Sequence, residues 1–284
     1  MAFKNIQEYI STEDGTAGSL LIPKLIMPTL IEEVDKNLIP REMAAMVWGP
    51  TQIQGSSFDV NLEVADTMDV RDVGEGAEIP LDNIDFTNVT FTPKKYGVAI
   101  RITREMMEDS QFELLQRNIR AAGRRFAENE QELVIAQLDL ANATTAGGAA
   151  ITIANIAESM FDVEDNDYTP TDYLVGNEVV QDLRNIDTFV EADKAGNREM
   201  MERGFIGTLF GMNVARYSTN SGSNATATSS YVFDRSQAYA IAIKRDITVE
   251  NFDLPTYDMQ GAAITQRIAV KALRVKAISK ITTS

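Results

Sequence analysis

Neither cysteine nor histidine occurs in the 284 residues of this chain, and the two absences remove most familiar active-site chemistry. Without thiols there can be no disulfides and no thiolate ligands for zinc. Without imidazole there is no Ser-His-Asp or Cys-His nucleophile and no histidine metal site. An enzyme built from this sequence would have to work with carboxylates, lysine, serine or tyrosine alone. The lack of cysteine also fits a reducing compartment. Long apolar runs are missing too. No stretch approaches the roughly 18 residues needed to span a bilayer, and the start, Met1-Ala2-Phe3-Lys4, has no secretory apolar core. We therefore expect a soluble, intracellular product with no membrane partner. At 44% hydrophobic and 24% charged residues, the composition is that of a globular protein of about one to three domains.

Positive charge is scarce. The formal net charge of −16 argues against nucleic-acid binding as the main activity, because phosphate contacts need clustered lysine and arginine. The bases that exist are unevenly spread. Lys94, Lys95, Arg101 and Arg104 fall in residues 93–104, and Arg267, Lys271, Arg274, Lys276 and Lys280 in 264–284, each stretch without an acid. Two readings stand side by side: separate solvated faces, or complementary charge between neighbouring subunits.

Bases are scarcest where acids are densest. Between Gly55 and Thr92 stand nine acids (Asp59, Glu63, Asp66, Asp69, Asp72, Glu75, Glu78, Asp82, Asp85) against Arg71 alone. After Gly55-Ser56-Ser57 the chain runs out through Val60, Leu62, Val64, Val70 and Val73 to Gly74-Glu75-Gly76. It returns through Ile79, Ile84, Phe86, Val89, Phe91, Val98 and Ile100. Both limbs alternate apolar with polar residues, the period-2 pattern of a half-buried strand. An isolated two-stranded ribbon is marginal in water. One this acidic and thinly apolar is expected to find its partner on another chain.

The strongest helical pattern follows the ribbon. Ser110-Gln111-Phe112-Glu113 has the spacing of a capping box. Phe112, Leu115, Ile119, Ala122, Phe126, Leu133, Ala136 and Leu140 then recur at helical spacing. No proline interrupts 111–143, so a helix of about 30 residues, roughly 45 Å long, is expected. Arg117, Arg120, Arg124 and Arg125 lie near its middle, and Thr144 to Gly148 is read as its end. Upstream, the polar stretch 12–19 lacks the apolar surface to fold alone. A short amphipathic helix starts at Pro28 and is read as ending at Pro40. Downstream the pattern is mixed. Helices are expected at 153–161 and from Asn177, and a short strand at 172–175. A glycine-marked turn enters a strand at 204–214, and residues 218–230 form a low-complexity loop. Strand-like segments follow at 231–233, 238–243 and 264–281.

Apparent site motifs fail on inspection. Asp162, Glu164, Asn166 and Asp167 resemble the start of a calcium loop, but the required glycine is missing and Tyr173 stands where the final glutamate should be. Gly74-Glu75-Gly76 lacks the third glycine of a dinucleotide turn, and Gly123-Arg124-Arg125 is no phosphate loop. Asn224-Ala225-Thr226 matches a glycosylation sequon, which has no meaning without a secretory signal. No catalytic, cofactor-binding or metal-binding residues are assigned.

The order of parts resembles the major capsid proteins of tailed bacteriophages, the Hong Kong phage-type capsid fold shared with encapsulins. Four stretches carry the resemblance. Val73-Gly74-Glu75-Gly76-Ala77-Glu78-Ile79-Pro80 is similar to the family's turn in the extended loop. The run from Phe91 to Ser110, with Glu105-Met106-Met107-Glu108-Asp109-Ser110, is similar to the strand and lead into its spine helix. Gly207-Thr208-Leu209-Phe210-Gly211-Met212-Asn213-Val214 and the run from Asp234 to Val249 are similar to two segments of its axial domain.

The resemblance implies an α+β, L-shaped subunit. Its parts would be an N-terminal arm (1–50), an extended β-hairpin loop (51–102), a peripheral domain with the long spine helix (103–168), an axial domain (169–245) and return strands (246–284). Such subunits form pentamers and hexamers of an icosahedral shell around double-stranded DNA. The virion is assembled in the host cytoplasm, and the packaged DNA is held non-specifically. No segment ahead of the arm looks like fused scaffolding, so we expect a separate scaffolding protein or none, with portal and decoration proteins as further partners. The family's lysine–asparagine crosslink is not carried over, because the loop has no lysine between Gly55 and Thr92. The alternative is an encapsulin shell around a cargo enzyme, although residues 11–23 read as an arm rather than a cargo-docking helix. Charge then nominates contact residues: Asp69, Asp72, Glu75 and Glu78 on the loop, and Arg117, Arg120, Arg124 and Arg125 on a neighbour's helix.

Overall fold

The computed structural model describes residues 39–53, 55–64, 70–76, 78, 81, 85–103, 105, 113–185, 205–217 and 226–283. The polar stretch 12–19, the helix expected from Pro28, Ser110 of the expected capping box and most of the 218–230 loop lie outside these residues. So do Asp69 and the side chains of Phe112, Arg117 and Ile119.

Two sheets share one helix. The first sheet has the order β1-β10-β11-β4. Its strands are β1 (Met46–Trp48), β4 (Lys94–Thr103), β10 (Tyr239–Leu254) and β11 (Met259–Ala272). β10 and β11 form a long antiparallel hairpin, with Ile241 opposite Val270 and Phe252 opposite Gly261, and β4 adds to its outer side with Val98 opposite Ile264. Two one-residue register shifts between Ile243 and Thr248 cancel in their effect on facing, so the inward alternation stays in step: Ile241 and Ile243 before them, Ile247 and Val249 after.

Helix α2 (Glu113–Leu138) lies on that inward face. Ala122, Phe126 and Ala127 pack on Ile247, Ala262 and Ile264. Further along, Val134, Ile135 and Leu138 meet Ile241, Ile268 and Val270, and also Leu174, Tyr231 and Phe233 of the second sheet. That sheet has the order β5-β12-β9-β6-β8-β7. Its strands are β5 (Ala143–Gly148), β6 (Asp172–Val175), β7 (Phe205–Leu209), β8 (Met212–Arg216), β9 (Ser229–Phe233) and β12 (Ile278–Thr283). The central β6 is buried throughout, as a strand covered on both faces must be. Leu174 points toward α2, while Tyr173 and Val175 face helices α3 (Ile153–Glu164) and α4 (Asn177–Asn185). α3 begins at a reciprocal cap, with the Asn155 amide donating to Thr152 Oγ1 at 3.3 Å and the Thr152 amide to Asn155 Oδ1 at 3.0 Å.

Several local expectations change. Pro40 does not end a helix; it sits inside the short α1 (Ile39–Glu42), in the first turn, where a missing N–H costs nothing. Thr144 to Gly148 is not a helix terminus but edge strand β5, paired in parallel with β12. The run 264–281 is two strands separated by a 3-10 turn at Val275–Ala277. The expected apolar stripe holds at Ala122 and Phe126 but shifts later to Val134, Ile135 and Leu138, with Leu133 and Ala136 only half-buried, and Leu140, 54% exposed, lies beyond the end of α2. The face from Phe126 onward is completed by buried Glu130 and Gln131, polar residues that a hydrophobic pattern passes over.

Candidate functional site

The acidic loop leaves the body on a ribbon of β2 (Phe58–Glu63) and β3 (Phe86–Phe91), with Phe58 opposite Phe91 and Val60 opposite Val89. The pairing continues one step, with the Val64 amide donating to the Asp85 carbonyl at 2.8 Å. At the root, Trp48 meets Phe58 and Phe91 edge-on at 5.1 and 5.2 Å between ring centroids. The cluster sits on Ala240, Ala242 and Ala269, small residues on the sheet face opposite α2. Arg274 Nη2 donates to the Glu63 carbonyl at 2.8 Å, a second tie at the ribbon's end. Sequence reasoning missed this root; the chain's single tryptophan was the available signal.

Beyond the root, cover from the described residues falls away. Val70 is 103% exposed and Leu81 95%, against 0% for Phe91 at the base. Asp72, Glu75 and Glu78 are all exposed, and Gly76 takes φ +82° at the turn, a conformation glycine reaches without penalty.

The arginines nominated on α2 divide. Arg120, Arg124 and Arg125 are exposed, and Arg125 Nη1 pairs with Glu128 Oε2 one turn on at 2.8 Å. Within one chain, no hydrogen bond or ion pair among the described residues joins Asp72, Glu75 or Glu78 to Arg120 or Arg125. The basic stretches divide too. Lys94, Lys95 and Arg101 are exposed on β4, at the edge of its sheet. Lys280 is used internally, its Nζ 2.7 Å from Asp139 Oδ1, as is Arg274.

The interior holds polar groups that serve the fold. Tyr231 Oη donates to Asp139 Oδ1 at 2.6 Å, Tyr217 Oη to the Ser229 carbonyl at 2.8 Å and Tyr173 Oη to Ser230 Oγ at 3.1 Å. Burial pushes all three hydroxyls far above the ordinary tyrosine range, so they stay protonated donors rather than general bases. The acidic run at the end of α3 and the turn after it is likewise structural: Asp162, in the last turn of the helix, accepts from Ser279 Oγ at 3.2 Å, and Asn166 donates to the Asp162 carbonyl at 2.8 Å. Among the described residues no group of three or more acids is placed to hold a metal ion, and no helix is long and apolar enough to cross a membrane.

Comparison with known proteins places this arrangement. Residues 87–281 match the model of the phage capsid protein family, while no curated protein sequence matches. Among solved structures, a chain of Mycobacterium phage Cain aligns with a TM-score of 0.65 at 15% identity, covering 87% of this chain and 90% of that one. One from Microbacterium phage Oxtober96 aligns with a TM-score of 0.62 at 18% identity, covering 82% and 88%. The capsid of an empty GTA particle, computed with C5 symmetry, gives 0.63 at 14% identity, covering 87% and 90%. The fold is that of tailed-phage major capsid proteins, and the matches favour a phage shell over an encapsulin. With the family match spanning more than half its length, the chain belongs to the phage capsid protein family and is a structural capsid protein.

Proposed function

We propose that copies of this chain close an icosahedral shell as hexamers and pentamers, and that the acidic loop makes a principal contact between neighbours. One observation carries the reading: beyond a well-packed root, the ribbon tip presents Val70 and Leu81 fully to solvent amid like charges. Burying a valine or leucine side chain contributes about 1.5–3 kcal/mol, and no described residue of the same chain supplies that burial. Asp69, Asp72, Glu75 and Glu78 would face Arg117, Arg120, Arg124 and Arg125 of the next subunit. Each exposed pair contributes about 0–1 kcal/mol but recurs at every interface. Within the shell, each copy would contribute the arm (1–50), loop (51–102), peripheral domain (103–168), axial domain (169–245) and return strands (246–284).

The enclosed double-stranded DNA would be held without sequence preference, and an acidic inner wall would limit its adsorption. A separate scaffolding protein or none, a portal and decoration proteins complete a virion assembled in the host cytoplasm, and the protein carries out no catalysis. The test is to purify the chain, bring it to low and moderate salt, and examine it by sedimentation and negative-stain microscopy. Closed shells are expected. A chain that stays monomeric under every condition overturns the proposal, and recovery of a protein cargo in place of nuclease-protected DNA redirects it to the encapsulin alternative.

A further inference from the structure

On the sheet face turned away from α2, three cations stand in one row. The register sets Lys95 of β4 opposite Arg267 of β11, and Arg267 opposite Arg245 of β10. Ile264 and Ile268 pack toward α2, so Thr265 and Arg267, alternating with them, point the other way. Arg245 Nη2 donates to Thr265 Oγ1 at 2.9 Å, which places its guanidinium on that same face. Tyr96 packs against the core on the α2 side, so Lys95 beside it faces outward as well. Arg267 Nη2 donates to the Pro93 carbonyl at 3.3 Å.

Like charges directly opposite one another, with Cβ atoms about 4.5–5.5 Å apart, destabilise a sheet. Arg245 and Arg267 are also half-buried, where a charge calls for an opposite partner. The described residues supply none. Among them no ion pair joins any of the three to an acid, and Asp246, next to Arg245, accepts instead from the Ile247 amide at 2.8 Å. Arg245 Nε has no hydrogen-bond partner among them either. The ribbon root sits one outward pair along, on Ala242 and Ala269. The ribbon then runs toward Arg274, which holds the Glu63 carbonyl, and so away from the row. We propose that Lys95, Arg245 and Arg267 form a binding site for a multiply charged oxyanion, a phosphate or two carboxylates presented together. Two guanidiniums and an ammonium supply the donors and the charge such a group takes, and three paired strands hold them in place. The inference concerns the single subunit and stands independently of the shell reading.

The full chain, unassembled, is melted in chloride, inorganic phosphate and malonate at low millimolar concentration and matched ionic strength. Wild type is compared with K95Q and R267Q. Phosphate is expected to raise the wild-type melting temperature by about 3 °C over chloride, and both variants to lose most of that rise. Should R267Q fail to fold, K95Q, changed at an exposed position, carries the test alone. A rise with malonate but not phosphate assigns the site to paired carboxylates, such as a second copy of this acidic chain presents. No rise over chloride with either anion overturns the proposal. A rise that the folded variants keep in full overturns it too, since that is the general stabilisation excluded salts give any protein.

Discussion

Phe126 is 3% exposed, packed with Ile247 and Ile264 across the α2–sheet junction. F126A removes that ring and opens a cavity, so we expect a loss of about 3–5 kcal/mol, read as a lower melting temperature of the unassembled subunit. Unchanged melting would mean the helix does not rest there. Asp172 is a different case. It is fully buried at the start of β6, and Oδ1 has no partner. Burial raises its pKa above the ordinary 3.8, outweighing the hydroxyl of Thr171 and the charge of Arg235, which lower it. The folded state therefore holds this proton more tightly than the unfolded chain, and stability falls as pH rises from about 3.8 through the raised value. D172N should melt higher than wild type at neutral pH, with the gain vanishing below the ordinary carboxylate pKa; a gain unchanged by acid would refute the assignment. Phe126 was legible because apolar residues at helical spacing announce a buried face. Glu130 and Asp172 were not, since a carboxylate reads as surface until the fold brings Arg41 beside Glu130 and closes the sheet and its neighbours over Asp172.

At the scale of elements, α2 was legible from an uninterrupted, proline-free period of 3.6, and β6 from its short apolar run between turns. β5 was not, because Ala143–Gly148 has little β-propensity of its own and is held by its parallel ladder to β12. The β10–β11 hairpin was only partly legible: Ile247 and Val249 keep step with Ile241 and Ile243, but the polar run Lys244-Arg245-Asp246 at the register shifts interrupts the apolar pattern. Its far end turns on one residue. A Cβ placed on Gly261 would lie 2.4 Å from the Ile100 carbonyl oxygen and 2.5 Å from Phe252 Cζ, so the ring opposite occupies the space a side chain would need. G261A should force β4 and β10 apart at that point and cost about 1–3 kcal/mol. Hydrogen exchange is the direct reading: amides in 97–103 and 250–263 should exchange faster while those of β6 and β9 stay protected. Uniform protection across both sheets would show that the site can relax.

For the whole molecule, the family was legible in the order of four weak motifs, each a local turn or strand entry. Which surfaces meet is not written that way, because contacts between copies depend on the geometry of an assembly rather than on one chain's periodicity. Charge still gives a handle. The loop has nine acids and one base between Gly55 and Thr92, and Arg120 and Arg124 are exposed on α2. At about 3.3 Å per residue, roughly ten residues a limb would allow a reach of about 35 Å, the distance the proposed contact with a neighbouring copy calls for. Reversing Asp69, Asp72 and Glu75 to lysine touches no described core contact, so the subunit should fold and melt as wild type. On the proposed contact, assembly should fail or give misshapen particles, because attraction at each interface would become repulsion. Adding R120E and R124E should restore part of the yield by reversing the other side. The effect should be largest at low salt and fade as ionic strength rises, since the screening length falls to about 10 Å at 0.1 M. If the triple reversal assembles normally at low salt, the loop's charge is a solvated face, and the contact rests on Val70 and Leu81 alone.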